Sequence, residues 1–359
     1  MNTLRVLLVS EPMEYGVLTH LERLCDGLDR ARCTVGLVFS PRRMAPQAHA
    51  LVARLATRGV PVRALPFHRG IGGGDLRAAF GLVGAMRAFR PDVVHCHSTK
   101  AGLVGRVVAA ALGVPALYTP HGTSWHYTGP RLGTVQRALE RALRRVTSQL
   151  LSVCPAEARA FVEEIGYDPA RVRVVPNGVA LPDPPTLAAA RARVRRTLGI
   201  AQGELWQVFV GRLTPEKGAD VLVDAAAAGT GADGILVVGD GRDRTALETR
   251  ARGARTQVRF VGYQADVSPF LAAGDVFVQP SRSEGLPFAA LEAMAHALPV
   301  VSTGVGGLAR AVGDAGVIVP PADPTALAAA LRALSADDGR RRALADAGRA
   351  RVKREFGLP

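Results

Sequence analysis

Two glutamates, Glu284 and Glu292, stand eight residues apart on either side of a Gly-Leu-Pro turn. A strand-like apolar run at 276–280 precedes the turn, and a helical run at 289–297 follows it. The free N–H groups and the dipole of a helix N-terminus favour a bound anion. Carboxylates beside such a site accept hydrogen bonds from hydroxyl groups. The spacing therefore predicts a ligand with both phosphates and hydroxyls, such as a nucleotide-sugar.

A second loop of the same kind carries two cations. Arg212 and Lys217 lie in the Gly-flanked segment 210–218, which also follows a predicted strand and precedes a predicted helix. Arginine offers a planar fork of donors and lysine a mobile point charge. Lys217 is one of three lysines in the chain, which argues against a chance surface charge. Together the two cations suit a diphosphate whose negative charge grows as it leaves.

The elements that must position these loops alternate between strands and helices in both halves of the chain. In the N-terminal half the predicted strands cover 5–10, 34–39, 62–65, 93–96 and 116–119, and the helices 18–30, 48–58, 76–89 and 100–112. In the C-terminal half the strands cover 206–210, 234–238, 258–261, 276–279, 300–302 and 317–319, and the helices 219–228, 242–252, 267–272, 292–297 and 337–355. This alternation predicts a parallel sheet in each half, with ligands beyond the carboxyl ends of the strands.

The fold class is therefore α/β, with two Rossmann-like domains that face a deep interdomain cleft. The cluster of Pro182, Pro184 and Pro185 is interpreted as the interdomain linker or its near neighbour. The predicted domains are residues 1–180 and 181–359. The segment 70–74, which is rich in glycine, is expected to be a flexible loop.

Composition narrows the class of protein. No apolar run is long enough to predict a membrane-spanning helix, and the first ten residues resemble a buried strand more than a signal peptide. We expect a cytoplasmic protein with reduced cysteines. The net charge of +14 is compatible with a solvated basic surface, an anionic membrane or a polyanionic substrate. Nucleic acid is not expected as a partner, because aromatic residues are sparse and no nucleic-acid motif occurs.

A metal site is not expected. The run His95-Cys96-His97 contains two histidines, but alternation along a strand places only those two on one side. That arrangement does not match the usual spacings of metal ligands. No paired aspartates of the DxD type stand at a strand end.

These motifs together resemble the family 4 retaining glycosyltransferases of GT-B fold, over nearly the whole chain. The spacing from Glu284 to Glu292 is similar to that family's signature. The other matching segments are 91–98, 118–122, 176–179, 211–218 and 238–241. The resemblance implies an N-terminal acceptor-binding domain and a C-terminal domain that binds the nucleotide-sugar donor.

The resemblance also implies roles for single residues. Arg212 and Lys217 would hold the donor diphosphate, Glu292 would accept from ribose hydroxyls, and Glu284 from hydroxyls of the transferred sugar. His121 would face that sugar from the N-terminal domain and counts, with Glu284, Arg212 and Lys217, among the implied catalytic residues. The remaining implied donor contacts are Gly16, Tyr263, Gly285, Leu286 and Phe288.

The implied reaction moves a hexose-type sugar, UDP-linked in most of the family, with retention of its anomeric configuration. No metal or other cofactor is expected, because fixed cations and helix N–H groups can stabilise the leaving diphosphate. No nucleophile is identifiable, so front-face attack assisted by the departing phosphate is the favoured mechanism. Two alternatives remain open: a sugar-nucleotide epimerase of the same fold, and a nucleotide-sugar-binding partner protein without turnover.

The acceptor side is less well encoded. The residues expected to face it are His97, Ser98, Lys100 and Trp125. The motif at 97–102 resembles members that build capsule, exopolysaccharide or other polyprenyl-linked glycans, and some relatives instead glycosylate small natural products. The acceptor is therefore expected to be a glycan, a polyprenyl-linked sugar or a small molecule. The predicted helix 132–146 carries an apolar stripe beside four arginines, which suits either core packing or peripheral contact with the inner face of the membrane.

The chain departs from the family pattern at several points. The loop 11–16 has one glycine, at Gly16, where members often have two. Arg310 stands where an acidic residue is common, and Cys154 where a small hydroxyl residue is common. The sequence ends before the long C-terminal helix that members often have.

Overall fold

The computed structural model describes residues 3–67, 73–126 and 128–358. The chain divides into two units, Met1–Pro176 and Asn177–Pro359. The division falls four residues before the predicted boundary at 180. Each unit is built on one parallel sheet, which confirms two Rossmann-like domains. Of the predicted loop at 70–74, residues 70–72 lie outside the described part of the chain, and a helix begins at Gly73.

Seven strands form the sheet of the first unit, as far as the structure describes it. They are β1 (Leu4–Ser10), β2 (Cys33–Phe39), β3 (Val62–Ala64), β4 (Val93–His97), β5 (Ala116–Thr119), β6 (Gln149–Ser152) and β7 (Val172–Val174). The helices are α1 (Tyr15–Gly27), α2 (Pro46–Thr57), α3 (Gly73–Phe89), α4 (Ser98–Ala111), α5 (Pro130–Leu143) and α6 (Pro155–Ala160). The strand order is β3-β2-β1-β4-β5-β6-β7.

The second unit repeats this plan with six strands in the order β10-β9-β8-β11-β12-β13. The strands are β8 (Trp206–Val210), β9 (Gly234–Val238), β10 (Gln257–Gly262), β11 (Val276–Gln279), β12 (Val300–Thr303) and β13 (Gly316–Val319). The helices are α7 (Pro184–Leu198), α8 (Ala219–Ala228), α9 (Arg244–Arg250), α10 (Ser268–Ala273), α11 (Phe288–Ala295), α12 (Leu308–Val312), α13 (Pro324–Ala336) and α14 (Asp338–Glu355).

Strands β1 and β9 are apolar on both faces over most of their length, as expected where helices cover both sides of a sheet. In β1, residues 6–9 are all valine or leucine and all are buried. In β9, every residue is buried. Continuous apolar strands of this kind are typical of parallel sheets.

The proline cluster at 182–185 lies six residues after the division between the two units, as a near neighbour of it, and it begins a helix. Pro184 is the first residue of α7, and the carboxylate of Asp183 accepts a hydrogen bond from the backbone N–H of Thr186. Proline is well tolerated at the first helical position, where its missing N–H costs nothing. The cluster is therefore a helix start inside the second unit.

The four cysteines are free thiols, in agreement with the sequence-based expectation. Among the described residues, no helix combines the length and the apolar character that crossing a membrane requires.

A buried ion pair links two helices in the first unit. Arg106 on α4 is fully buried, and its guanidinium donates to both carboxylate oxygens of Glu140 on α5, at 2.8 and 2.9 Å. The same guanidinium donates to Thr147 Oγ1 and Tyr167 OH, and its Nε donates to the carbonyl of Gly102. The charge is thus matched by acceptors on several elements.

We predict that Arg106→Ala lowers the free energy of unfolding of the first unit by about 3–5 kcal/mol, because Glu140 would stay buried without its partner. The measurement is guanidinium denaturation followed by tryptophan fluorescence. Every variant also carries Trp206→Phe, so that the signal comes from Trp125 and measures unfolding of the first unit. Arg131→Ala, which removes an exposed arginine of α5, is the matched control and should change the stability by less than about 0.5 kcal/mol. Equal stability of Arg106→Ala and Arg131→Ala would contradict the stabilising role of the buried Arg106–Glu140 ion pair.

Candidate functional site

The strand order of the second unit brings two distant loops to one edge of the sheet. Strands β8 and β11 pair directly, with Phe277 opposite Val208. The next strand beyond β8 is β9, and the next beyond β11 is β12, so the strand order reverses direction between β8 and β11. Loops 211–218 and 280–287 therefore leave adjacent strands at their carboxyl ends. Ligands of open parallel sheets bind at this reversal of strand order.

Lys217 and Glu284 meet at this point. The ammonium of Lys217 contacts both carboxylate oxygens of Glu284, at 2.8 Å to Oε1 and 2.7 Å to Oε2. Ser281 Oγ and the amide of Gln279 also donate to Oε1, at 2.7 and 3.1 Å. Within the described residues Oε2 has Lys217 as its donor, so one lone pair of Oε2 stays available to a ligand hydroxyl.

Glycines at two positions allow the loops to approach this closely. Gly218 has a φ of +69°, and a Cβ atom there would lie 2.0 Å from the carbonyl oxygen of Pro280. Gly306 has a φ of +56°, and a Cβ atom would lie 1.9 Å from the carbonyl oxygen of Glu284. A larger residue at either position would push the loop away from the ion pair.

Arg212 lies on the same loop as Lys217 and is paired with a carboxylate of its own. Its guanidinium is 3.4 Å from the carboxylate of Glu216. The side chains of Arg212 and Lys217 are 32% and 18% exposed, so both cations remain accessible to a ligand. Arg212 and Lys217 are thus each paired with a carboxylate, and Arg282 of the second loop is paired with Asp220.

Glu292 lies on α11, one turn after the helix begins at Phe288, and is half-buried. The backbone between the two glutamates is held by neighbours: the amide of Asn177 donates to the carbonyl of Leu286 at 2.7 Å, and the N–H of Gly307 donates to Gly285. The predicted donor residues from Glu284 to Glu292 therefore form one ordered turn into a helix.

Tyr263 is placed differently from the other predicted donor contacts. It follows β10, which lies two strands beyond β8 in the sheet, and it is 37% exposed.

Gly16, in the first unit, is an exposed residue of the first turn of α1. The loop before it carries Glu11 and Glu14, and both form ion pairs with Arg43, which follows β2. The loop without a second glycine is thus fixed by charge pairing.

The first unit has a histidine-lined edge at its own reversal of strand order. His97 ends β4, with Ser10 of β1 opposite it on one side and Thr119 of β5 on the other. His121 follows β5, and its Nε2 shares a hydrogen bond of 3.2 Å with Nδ1 of His97. The ring of His20, on α1, lies with its centroid 4.7 Å from that of His121 and 5.4 Å from that of His97.

Burial keeps these imidazoles neutral. It lowers the pKa of His97 and of His121 well below the usual value, and neighbouring histidines lower both further. Burial also lowers the pKa of His95 to about 3, and the Nε2 of His95 shares a hydrogen bond with Thr119 Oγ1 at 2.8 Å. Neutral imidazoles can donate or accept hydrogen bonds and can bind metal ions.

A buried glutamate holds the backbone beside His121. The carboxylate of Glu157 accepts hydrogen bonds from the N–H of Gly122, from Ser152 Oγ and from the N–H of Val153. Burial raises the pKa of Glu157, against these hydrogen bonds that lower it. His121 itself has a left-handed φ of +61°, so this anchoring maintains a conformation that few residues adopt.

The other predicted acceptor residues are engaged within the protein. Lys100 is buried, and its ammonium is 2.8 Å from the carboxylate of Asp75. Trp125 is buried too and donates from its indole N–H to Glu164. Ser98 begins α4 with a φ of +68°.

The structure thus brings His97 and His121 together and adds His20, which sequence reasoning missed. The signal was available, because His20 lies on the helix after β1, the strand beside β4. The periodicity of α1 does not show which of its side chains face the sheet edge, so the position of His20 in the sequence did not by itself place it beside His97 and His121.

Comparison with known proteins gives matches over both units. The family model described as "Glycosyl transferase 4-like domain" matches residues 15–178. The model described as "Glycosyl transferases group 1" matches residues 205–337.

Curated relatives span most of the chain. The UDP-Gal:alpha-D-GlcNAc-diphosphoundecaprenol alpha-1,3-galactosyltransferase of Escherichia coli is 29% identical over 65% of this chain and 63% of its own length. A D-inositol 3-phosphate glycosyltransferase of Xylanimonas cellulosilytica is 34% identical over 74% of this chain and 68% of its own length. For the first of these, the match therefore covers less than two thirds of the relative.

Solved structures share the fold. Anabaena HepE in complex with UDP and glucose gives a TM-score of 0.82 at 22% identity, with 99% of this chain and 96% of that chain covered. A glycosyltransferase from Rickettsia africae gives 0.79 at 17% identity, with 100% and 95% covered. With the two matched models and the relatives above 30% identity, these findings show that the chain belongs to the family 4 glycosyltransferases of GT-B fold.

Proposed function

We propose that this protein transfers a hexose-type sugar from a nucleotide-diphosphate sugar, most simply a UDP-sugar, to an acceptor hydroxyl. The observation that carries the proposal is the Lys217–Glu284 pair at the strand reversal of the second unit, with Arg212 beside it. The E. coli relative is named for a UDP-sugar donor, and the Anabaena structure contains UDP and glucose. Both support UDP as the donor nucleotide.

The donor would be held by groups of opposite character. Arg212 and Lys217 would contact the diphosphate, while Oε2 of Glu284 would accept from a hydroxyl of the transferred sugar. Glu292 would accept from the ribose hydroxyls. The turn at Gly285, Leu286 and Phe288 would line the sugar and phosphates, with Tyr263 and Gly16 as further donor contacts.

The proposed chemistry retains the anomeric configuration and uses no metal. The bond between the anomeric carbon and the diphosphate oxygen breaks, and its electron pair stays on the diphosphate. Cations fixed beside the leaving group stabilise that charge as it develops. The acceptor oxygen bonds to the same face of the carbon, and its proton passes to an oxygen of the leaving phosphate. No protein nucleophile is required.

The acceptor would bind to the first unit, through the edge that carries His97 and Ser98, with His121 contacting the transferred sugar. Lys100 and Trp125 would act mainly by shaping that edge, because both are buried and engaged with carboxylates. The two relatives are named for a diphosphoundecaprenol-linked sugar and an inositol phosphate as acceptors. We propose an acceptor of the same range: a glycan, a lipid-linked sugar or a small polyol.

A peripheral contact with an anionic membrane is part of the proposal. Leu132 and Val135 on α5 are 51% and 48% exposed, whereas Leu143 on the same helix is buried. Arg131 and Arg137 lie on the same helix, one residue before Leu132 and two residues after Val135. An exposed apolar stripe flanked by arginines suits the boundary between headgroups and acyl chains.

We predict that a UDP-hexose raises the melting temperature of the protein, because a ligand that binds the native state alone stabilises it. The measurement is a thermal-shift screen of nucleotide-sugars, each compared with its free nucleotide. Subsequent incubation with the best donor alone should release UDP slowly. An epimerised donor would favour the epimerase alternative, and an unchanged donor the partner protein without turnover.

We predict that Lys217→Ala lowers the rate of UDP release by about 100-fold or more, the scale expected for losing one charge partner of the leaving group. Lys353→Ala, which removes an exposed lysine of α14, is the matched control and should leave the rate unchanged. Melting temperatures of both variants separate a loss of chemistry from a loss of fold. Near wild-type release by Lys217→Ala would contradict the diphosphate assignment.

We predict that the protein binds phosphatidylglycerol-rich vesicles at low salt, and that the double variant Leu132→Ser, Val135→Ser binds them much more weakly. Co-sedimentation measures the bound fraction. Ile318→Ser, which removes a comparably exposed apolar side chain from β13, is the control and should bind normally. Absence of vesicle binding by the unmodified protein would contradict the membrane proposal.

A further inference from the structure

Three histidines of the first unit lie close enough together to hold a metal ion. One ring nitrogen each of His20, His97 and His121, the histidine cluster, lie within 4.8 Å of one another. The three residues come from α1, the end of β4 and the loop after β5, so the sheet itself brings them together. The cluster differs from the run 95–97 that the sequence analysis considered and set aside.

Two of the three histidines already have ring nitrogens at the separation found in a metal site. Nδ1 of His97 and Nε2 of His121 are 3.2 Å apart. Two nitrogens bound to zinc at 2.0–2.1 Å in a tetrahedron lie about 3.3 Å apart. The nitrogen of His20, which is half-buried on α1, lies within 4.8 Å of the other two, so a modest rotation of its side chain would bring it into coordination distance.

A separate observation points to a group that belongs at this place. The side chain of His97 is fully buried, and its Nε2 has no hydrogen-bond partner among the described residues. Buried polar atoms are normally satisfied, and an unsatisfied one calls for an explanation such as a bound ion or an ordered ligand. Coordination through Nε2 would satisfy this atom directly, whereas coordination through Nδ1 would fix the tautomer that carries its proton on Nε2.

The donor set selects the class of ion. Imidazole nitrogens favour zinc, copper, nickel and cobalt, whereas magnesium and calcium prefer oxygen ligands. Neutral imidazole is the form that binds a metal, and burial favours that form here. Three protein ligands also leave a fourth position open, as in zinc sites that accept a water or a substrate oxygen.

We propose that His20, His97 and His121 form a binding site for a zinc-class ion, and that the bound ion inhibits sugar transfer. Inhibition follows because the ion would occupy nitrogens of His97 and His121 that the acceptor and the transferred sugar would otherwise contact. The binding claim stands without the proposed function, and only the inhibition rests on it.

The binding test uses the full chain, stripped with a chelator and titrated with Co²⁺. Three imidazoles and a water around Co²⁺ should give the intense visible absorption of a four-coordinate site, and added Zn²⁺ should abolish it. A chromogenic chelator then measures the Zn²⁺ affinity by competition. Mg²⁺ in excess should displace neither ion.

Variants identify the ligands. His20→Ala should weaken Zn²⁺ binding by about 100-fold. Removal of a residue that only hydrogen-bonds to a metal ligand typically costs about 10- to 100-fold, and removal of a ligand itself should cost at least the larger of these. His20→Cys should restore much of the affinity, because a thiolate is also a zinc ligand. His49→Ala, which removes an exposed histidine of α2, should bind like the unmodified chain. Circular dichroism shows that each variant is folded.

Three results would overturn the site: no four-coordinate Co²⁺ spectrum, unchanged affinity in folded His20→Ala, or equal weakening in His49→Ala. The inhibition is measured as UDP release with and without Zn²⁺ in the chelator-treated protein. Zinc binding without any loss of turnover would overturn the inhibition and leave the site. Absence of UDP release under every condition, with zinc bound normally, would instead count against the proposed glycosyl transfer.

Discussion

The reversal of strand order in each parallel sheet is the constraint on which both candidate sites depend. In the first unit the order turns between β1 and β4, and in the second between β8 and β11. At such a point the loops from two adjacent strands diverge to opposite faces and leave a groove between them. Lys217 and Glu284, 67 residues apart in the chain, meet there, and so do His20 and His97.

The two edges nevertheless differ in chemical character. The second unit offers paired opposite charges, which suit a ligand with both anionic and hydroxyl groups. The first offers imidazoles that burial keeps neutral, and these suit hydroxyl groups or a soft cation. The same sheet topology thus carries the proposed diphosphate site in one unit and a neutral, polar site in the other, because the loops that leave the two sheets differ in sequence.

Much of this was predictable from local pattern. Continuous apolar runs predicted β8 and β11, and the motifs placed Lys217 and Glu284 at their carboxyl ends. The ion pair itself was not predictable, because it depends on which strands are neighbours in space. The same holds for His20, whose partners lie 77 and 101 residues away in the chain. The prolines at 182–185 did not by themselves predict a helix start, because proline marks helix starts as well as linkers; the capping Asp183 identifies the start of α7, a few residues beyond the division of the units.

The Lys217–Glu284 pair has a further consequence for how charge is managed. A lysine ammonium has three protons, and two of them point to Glu284 in this structure, which leaves the third for a phosphate oxygen. Glu284 therefore fixes the position of the cation without consuming it. Since Arg212 and Lys217 are each paired with a carboxylate, the proposed diphosphate would be held through short directed contacts rather than through excess positive charge. Such contacts strengthen as the glycosidic bond breaks and the diphosphate gains charge, so they favour the transition state over the bound donor.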